Sequence, residues 1–164
     1  MTFSTLGIWE VGSHLVDLAV AYALALPIGW EREREARSAG IRTFPLVAVA
    51  ACGFVLVAIR VLGASSTGQA RILEGLITGV GFIGGGAILK HAGRASGTAT
   101  AASLWTTGAV GAAVGYGLDD IGAILSLVTF LTLRCLAPLK EAAREAGGDD
   151  GTGDGPDASP SRLG

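Results

Sequence analysis

A few charged side chains in this 164-residue chain fall where apolar sequence surrounds them, and they are the first candidates for chemistry. Asp17, Arg60 and Glu74 lie inside apolar runs, with Arg71 just beyond one. Ionisable groups in hydrocarbon are costly, turn toward the bundle interior and pair with one another. Asp17 and Glu74 set against Arg60 and Arg71 therefore read as a cation or proton site, or as an interfacial salt-bridge set that fixes helix register. For Arg60 and Arg71, snorkelling to the outer headgroups fits as well. A second polar group is Glu31, Arg32, Glu33, Arg37, Arg42, Lys90 and Thr98, expected together at the opposite membrane face. Its core, EREREAR, alternates in sign. Positive-inside anchoring needs only the arginines, because acidic residues contribute little to orientation. Interhelix pairing or partner binding accounts for the carboxylates. Trp105 reads as an interface anchor.

Other chemistries find no support. No Ser/His/Asp, Cys/His or paired-carboxylate constellation can be argued, so the chain reads as a non-enzyme. His14 and His91 stand alone, Cys52 and Cys135 read as free buried thiols, and neither a metal site nor a cofactor is expected. Gly79-Val-Gly-Phe-Ile-Gly84 matches the GxGxxG phosphate fingerprint, but that motif needs a strand-to-helix turn and an acid about 20 residues on. Here the surroundings, Leu76–Leu89, are unbroken apolar sequence, and Ala99–Ala102 holds no acid. No basic patch backed by aromatics points to nucleic acid.

The elements that carry these residues are apolar segments. Half of the residues are hydrophobic, 16% are charged, net charge is −2 and mean hydropathy is +0.54. Soluble domains carry about 25% charged residues. Five segments of membrane-spanning length follow one another: about 13–30, 44–62, 72–89, 99–118 and 121–136. Residues 1–12 read as a short lead, and the absence of Lys or Arg before Arg32 argues against a cleavable signal. Pro138 and Lys140 should close the fifth segment, and Asp120 should cap its start after a tight turn.

The third segment is the most unusual. Gly79–Lys90 has five glycines in twelve residues. In lipid such a run stays helical, because unpaired amides are too costly there, and its bare backbone lets neighbours approach. Gly75, Gly79 and Gly86 form one stripe; Gly81, Gly84 and Gly85 form another, roughly opposite. The segment reads as a central helix gripped on two sides. Gly108, Gly111 and Gly115 form a further packing stripe in the fourth segment, whose mild hydrophobicity also fits a re-entrant loop.

Lys and Arg fix the orientation. Arg32, Arg34, Arg37 and Arg42 share one side with Lys90, Arg94, Arg134, Lys140 and Arg144. The expected fold is an all-α membrane protein, a polytopic bundle of five transmembrane helices with the N-terminus outside and the C-terminus cytoplasmic. The transmembrane domain is expected over 13–139, with a disordered tail over 144–164.

Three blocks, GWEREREARSAGIRTFPLVAVAA, RILEGLITGVGFIGGGAILK and GTATAASLWTTGAVGAAVGYG, resemble in order and spacing the MgtC/SapB family of bacterial inner-membrane proteins. The resemblance covers nearly all of residues 15–137. It implies five spans and a role linked to growth in low magnesium and to survival inside host cells. By the same resemblance some members act on other membrane proteins, ATP synthase included. The motif positions it carries are Glu31, Arg32, Glu33, Arg37, Gly40, Arg42 and Thr43, then Arg71, Gly79, Gly81, Phe82, Gly84 and Gly86, then Gly97, Thr100, Ala101, Ala102 and Trp105. Asp17 stands where the family has an acid. Two departures stand out: better-known members continue into a cytoplasmic ACT-like domain, and Glu74 replaces an amide found in many relatives.

The expected function is a regulatory or homeostatic one tied to magnesium limitation or acid stress. It would act through contacts with a second copy or with another membrane protein. The rival is a Mg²⁺ or proton transporter using Asp17 and Glu74. Beyond the lipid bilayer and such a protein, no partner is expected, and none that is a nucleic acid.

Overall fold

A computed structural model describes residues 7–35, 39–63, 67–91 and 94–146. Five helices account for most of them: α1 (Ile8–Arg34), α2 (Thr43–Leu62), α3 (Thr67–Gly86), α4 (Thr98–Gly115) and α5 (Asp119–Ala146). Between α3 and α4 a short antiparallel hairpin pairs β1 (Leu89–His91) with β2 (Arg94–Ser96), Lys90 opposite Ala95. The fold is thus helical, as the segments require, with a hairpin where a polar loop was expected. Among the described residues two helices are long and apolar enough to cross a membrane, 9–34 and 43–62.

Several boundaries differ from the apolar segments, each for a physical reason. α1 begins at Ile8 rather than near Ser13, so Glu10 sits in its first turn, where the helix dipole favours an acid. α3 begins at Thr67 and stops at Gly86, because the chain turns into the hairpin there. α5 begins at Asp119, which puts Asp119 and Asp120 in its first turn instead of in a tight turn before it. The turn is made one step earlier by Gly117, at φ 72°. Pro138 does not close α5, which runs on to Ala146. Proline removes one backbone bond and can kink a helix without ending it; Pro27 is carried inside α1 in the same way. The expected tail from residue 147 onward lies outside the described residues.

The hub of the bundle is α4, not the glycine-rich α3. α4 packs against all four other helices, with α5, α1, α2 and α3 arranged around it in that order. Thr100, Leu104, Thr107, Val110, Gly111 and Val114 are buried along its length. An apolar helix without a polar face belongs in an interior. By contrast α3 packs against α2 and α4, and its buried residues are few: Gln69, Val80 and Gly84.

One core cluster is made of small side chains, Ala21, Ala25, Ala48, Cys52 and Val114; a second, nearer the other end, is larger-grained, with Ile28, Ala39, Phe44, Leu104 and Leu133. Many other bulky residues face outward: Phe54, Val57, Phe82 and Leu127 are all more than half exposed. This pattern suits a lipid solvent, in which helices associate through small residues and close backbone contact, while large apolar side chains meet acyl chains. Cys135 is exposed, against the sequence expectation of a buried thiol; it lies on the outer face of α5.

Candidate functional site

The alternating charges at the end of α1 build a compact polar site. A helix sends neighbours in sequence to different sides, so Glu31, Arg32 and Glu33 each reach a different partner. Glu31 is buried at the α1–α5 contact, and its Oε2 lies 3.4 Å from Nη1 of Arg134 on α5 and 3.8 Å from Nη1 of Arg34. Arg32 is buried at 3% exposure, with Nη2 2.7 Å from Oε1 of Glu35. Glu33 turns to the loop that leads into α2. Its Oε2 accepts a hydrogen bond from the Ile41 N–H at 3.1 Å.

That loop is shaped to receive the carboxylate. A Cβ on Gly40 would collide with Glu33 Oε2 and lie 2.9 Å from its Cδ. On the other flank, a Cβ on Gly29 would lie 3.1 Å from the Ile41 Cα. Glycine at both positions lets the loop lie flat on the end of α1. The Gly40 carbonyl then accepts the Thr43 and Phe44 N–H groups at 3.0 and 3.2 Å, which starts α2. Phe44, Ile28, Leu104 and Leu133 pack beneath as one cluster. The described residues of the first block's charged half, 29–35 and 39–45, therefore make one clasp joining α1, α2 and α5.

The other residues of this polar set are less engaged. Arg42 is exposed and makes no ion pair among the described residues. Thr98 opens α4 and is exposed, and Trp105 is half-exposed one to two turns on. Lys90 is placed in β1 by its backbone. Arg37 lies outside the described residues.

At the opposite end of the bundle the charges of the apolar segments are arranged differently from the expected four-membered cluster. Arg60 pairs with Glu10, Nη2 to Oε2 3.4 Å, both side chains about half exposed. Asp17 is half-buried on α1, and Glu74 and Arg71 are exposed on α3. α1 packs on α2, α4 and α5, whereas α3 packs on α2 and α4, so Asp17 and Glu74 sit on separate flanks of the hub. Glu10 gives no sequence signal because it precedes the apolar segment; only a helix begun before Ser13 brings it level with Arg60. Arg134 reads in sequence as a positive-inside anchor, and its pairing with Glu31, 103 residues away, leaves no local signal. Among the described residues no group of three or more His, Cys, Asp or Glu could hold a metal ion.

Close glycine contacts separate into two classes. On α4, a Cβ at Gly108 would meet Val80 Cγ2 at 2.8 Å; at Gly115 it would meet Val55 Cβ at 2.8 Å and the Cys52 carbonyl oxygen at 2.9 Å. At Gly111 it would strike the Ala48 carbonyl, with its carbon at 2.8 Å. On α3, a Cβ at Gly84 would lie 3.1 Å from the Ala101 carbonyl oxygen, but one at Gly75, Gly79, Gly81, Gly85 or Gly86 would have nothing within 4 Å. The picture of an α3 gripped on two sides is therefore corrected: within this chain one of its six glycines is gripped. The buried hydroxyls of α4 bond back along the helix, Thr107 to the Ser103 carbonyl at 2.8 Å and Ser103 to the Thr100 carbonyl at 3.0 Å. They are satisfied locally. Ser126 reaches across from α5 to the Leu24 carbonyl at 2.6 Å.

The chain is similar to several known proteins. It is 40% identical over 138 residues to Protein SrpB of Synechococcus elongatus, covering 77% of this chain and 76% of that one. It is 38% identical over 133 residues to Protein MgtC of Brucella abortus, 80% of this chain and 55% of that one. It is 34% identical over 125 residues to a protein of Escherichia coli K12 named putative magnesium transporter YhiD, 73% of this chain and 58% of that one. The chain thus spans little more than half the length of the last two. No solved structure matches it. The MgtC family profile matches residues 18–142, which take in the clasp, the glycine helix and the hub, and the chain belongs to the MgtC family.

Proposed function

We propose that this protein is a multi-pass inner-membrane protein with five spans, N-terminus outside and C-terminus cytoplasmic. It serves magnesium or acid-stress homeostasis by docking, through α3, to a second copy or to another membrane protein. By the family resemblance, ATP synthase is one candidate partner. The observation that carries this reading is an outward stripe on α3. Glu74, Thr78, Gly81 and Gly85 recur at helical spacing and are all exposed. Glu74 is seven residues into the helix, about 10 Å from its start. A carboxylate at that depth facing acyl chains is costly, and such groups normally turn toward protein. The two glycines beside it admit a close helix.

The Arg and Lys asymmetry supports the orientation, and reporter fusions test it: a C-terminal reporter active in the periplasm overturns five spans. Cross-linking in native membranes tests the docking. Gly81→Leu and Gly85→Leu should abolish the cross-linked species and leave the chain folded, since both positions are open. An unchanged cross-linking pattern overturns the α3 interface. Flux of Mg²⁺ or protons in proteoliposomes, lost in Asp17→Asn, would favour transport instead. The separation of Asp17 from Glu74 argues against one conduit lined by both.

A further inference from the structure

The face of α3 turned toward α2 bounds a long apolar cavity of about 840 Å³. It differs from the Glu74 stripe, so the two readings stand or fall separately. Leu46 and Phe54 of α2 form part of one wall, and Gly75 and Gly79 of α3 form part of the other. The cavity exists because those two glycines leave empty the space that side chains would fill. Arg42 and Thr43 line it where α2 begins, and Arg71 lines it at the far end, in the second turn of α3.

We infer that this groove holds one anionic phospholipid, its phosphate on Arg42 and Thr43 and its acyl chains along Gly75 and Gly79. Two observations select this occupant. The first is length. Twelve helical residues separate Arg42 from Phe54 along the α2 wall, about 18 Å at 1.5 Å per residue. That is close to one leaflet's share, about 15 Å, of a hydrocarbon core about 30 Å thick. The second is charge. Arg42 makes no ion pair among the described residues, and a guanidinium beside a hydroxyl is a good phosphate partner. The two carboxylates nearest along the chain are engaged elsewhere, Glu35 with Arg32 and Glu33 with the Ile41 N–H.

The inference rests on α2 and α3 lying in a bilayer. A protein monodisperse and folded in plain buffer would remove that premise, a result distinct from the lipid measurements. The test is native mass spectrometry of the full chain released from nanodiscs holding equal phosphatidylglycerol and phosphatidylcholine of the same acyl length. One retained phosphatidylglycerol per chain is expected, preferred over phosphatidylcholine about tenfold. Arg42→Gln should lower that preference about five- to tenfold, and Arg42→Lys should restore part of it. Gly79→Leu, which fills the groove, should remove both lipids, with circular dichroism confirming helix content. Equal retention of the two lipids overturns the inference. So does an Arg42→Gln protein that behaves as the parent, or a second polypeptide found in the groove by Gly79-dependent cross-linking. Should Gly79→Leu fail to fold, the exposed Arg42 variants decide alone.

Discussion

Replacing Gly111 by alanine should be the most damaging single methyl addition in the bundle's centre. The new Cβ would sit 2.8 Å from the Ala48 carbonyl carbon and 2.9 Å from its Cα, with the oxygen nearer still. Ordinary contact needs about 3.4 Å or more, so α2 and α4 would have to part by about 1 Å. Neither side can yield by a rotamer change, because the obstacle is backbone. Overpacking of this kind costs about 1–3 kcal/mol. Alanine's better helix propensity recovers a fraction of that. For a chain of this size the net effect is a fall in melting temperature of roughly 3–10 °C. The assay is thermal unfolding in a fixed detergent, followed by circular dichroism, with Gly79→Ala as the paired control. A Cβ on Gly79 would meet nothing within 4 Å, so the alanine variant should melt at or slightly above the parent temperature. If Gly79→Ala is the destabilised protein and Gly111→Ala is not, α4 is not the hub and the packing argument fails.

Other outcomes follow from the clasp and the turns. Gly40→Ala should expel the Glu33 carboxylate from its seat and destabilise by about 1–3 kcal/mol, read as a lower melting temperature; Glu33→Ala in the same background should add little, because the bond is already lost. Glu31 and Arg134 should show a coupling under about 1 kcal/mol in a double-mutant cycle and weaken in high salt, since Arg134 is half exposed. Glu10→Gln should leave stability within about 0.5 kcal/mol, as both members of the Glu10–Arg60 pair are exposed to a similar degree. Gly97→Ala should be far worse, because Gly97 has φ 85° and an added Cβ would strike the Ala87 carbonyl; limited proteolysis should then open the hairpin between α3 and α4.

Much of the candidate site could be read directly. The alternating signs of EREREAR announced that carboxylates were being used for something besides orientation, and the clasp gives each of Glu31, Arg32 and Glu33 a distinct partner. The partner at Ile41 was out of reach of sequence reasoning, because it is a backbone amide and every residue but proline has one. Arg60 stands out in the sequence, but its partner Glu10, 50 residues away, does not, since ion pairing depends on which helices end level with each other.

What the linear chain settles is the helical class and the family. Long apolar runs with few charges favour helices, which satisfy their own backbone amides, and three ordered blocks suffice to identify the family. What it leaves to tertiary structure is which helix becomes the centre. A glycine records that a neighbour can come close, not that one does. Gly79 and Gly111 look alike in sequence, yet one faces open space and the other the Ala48 carbonyl, and only the packing of α2 on α4 tells them apart.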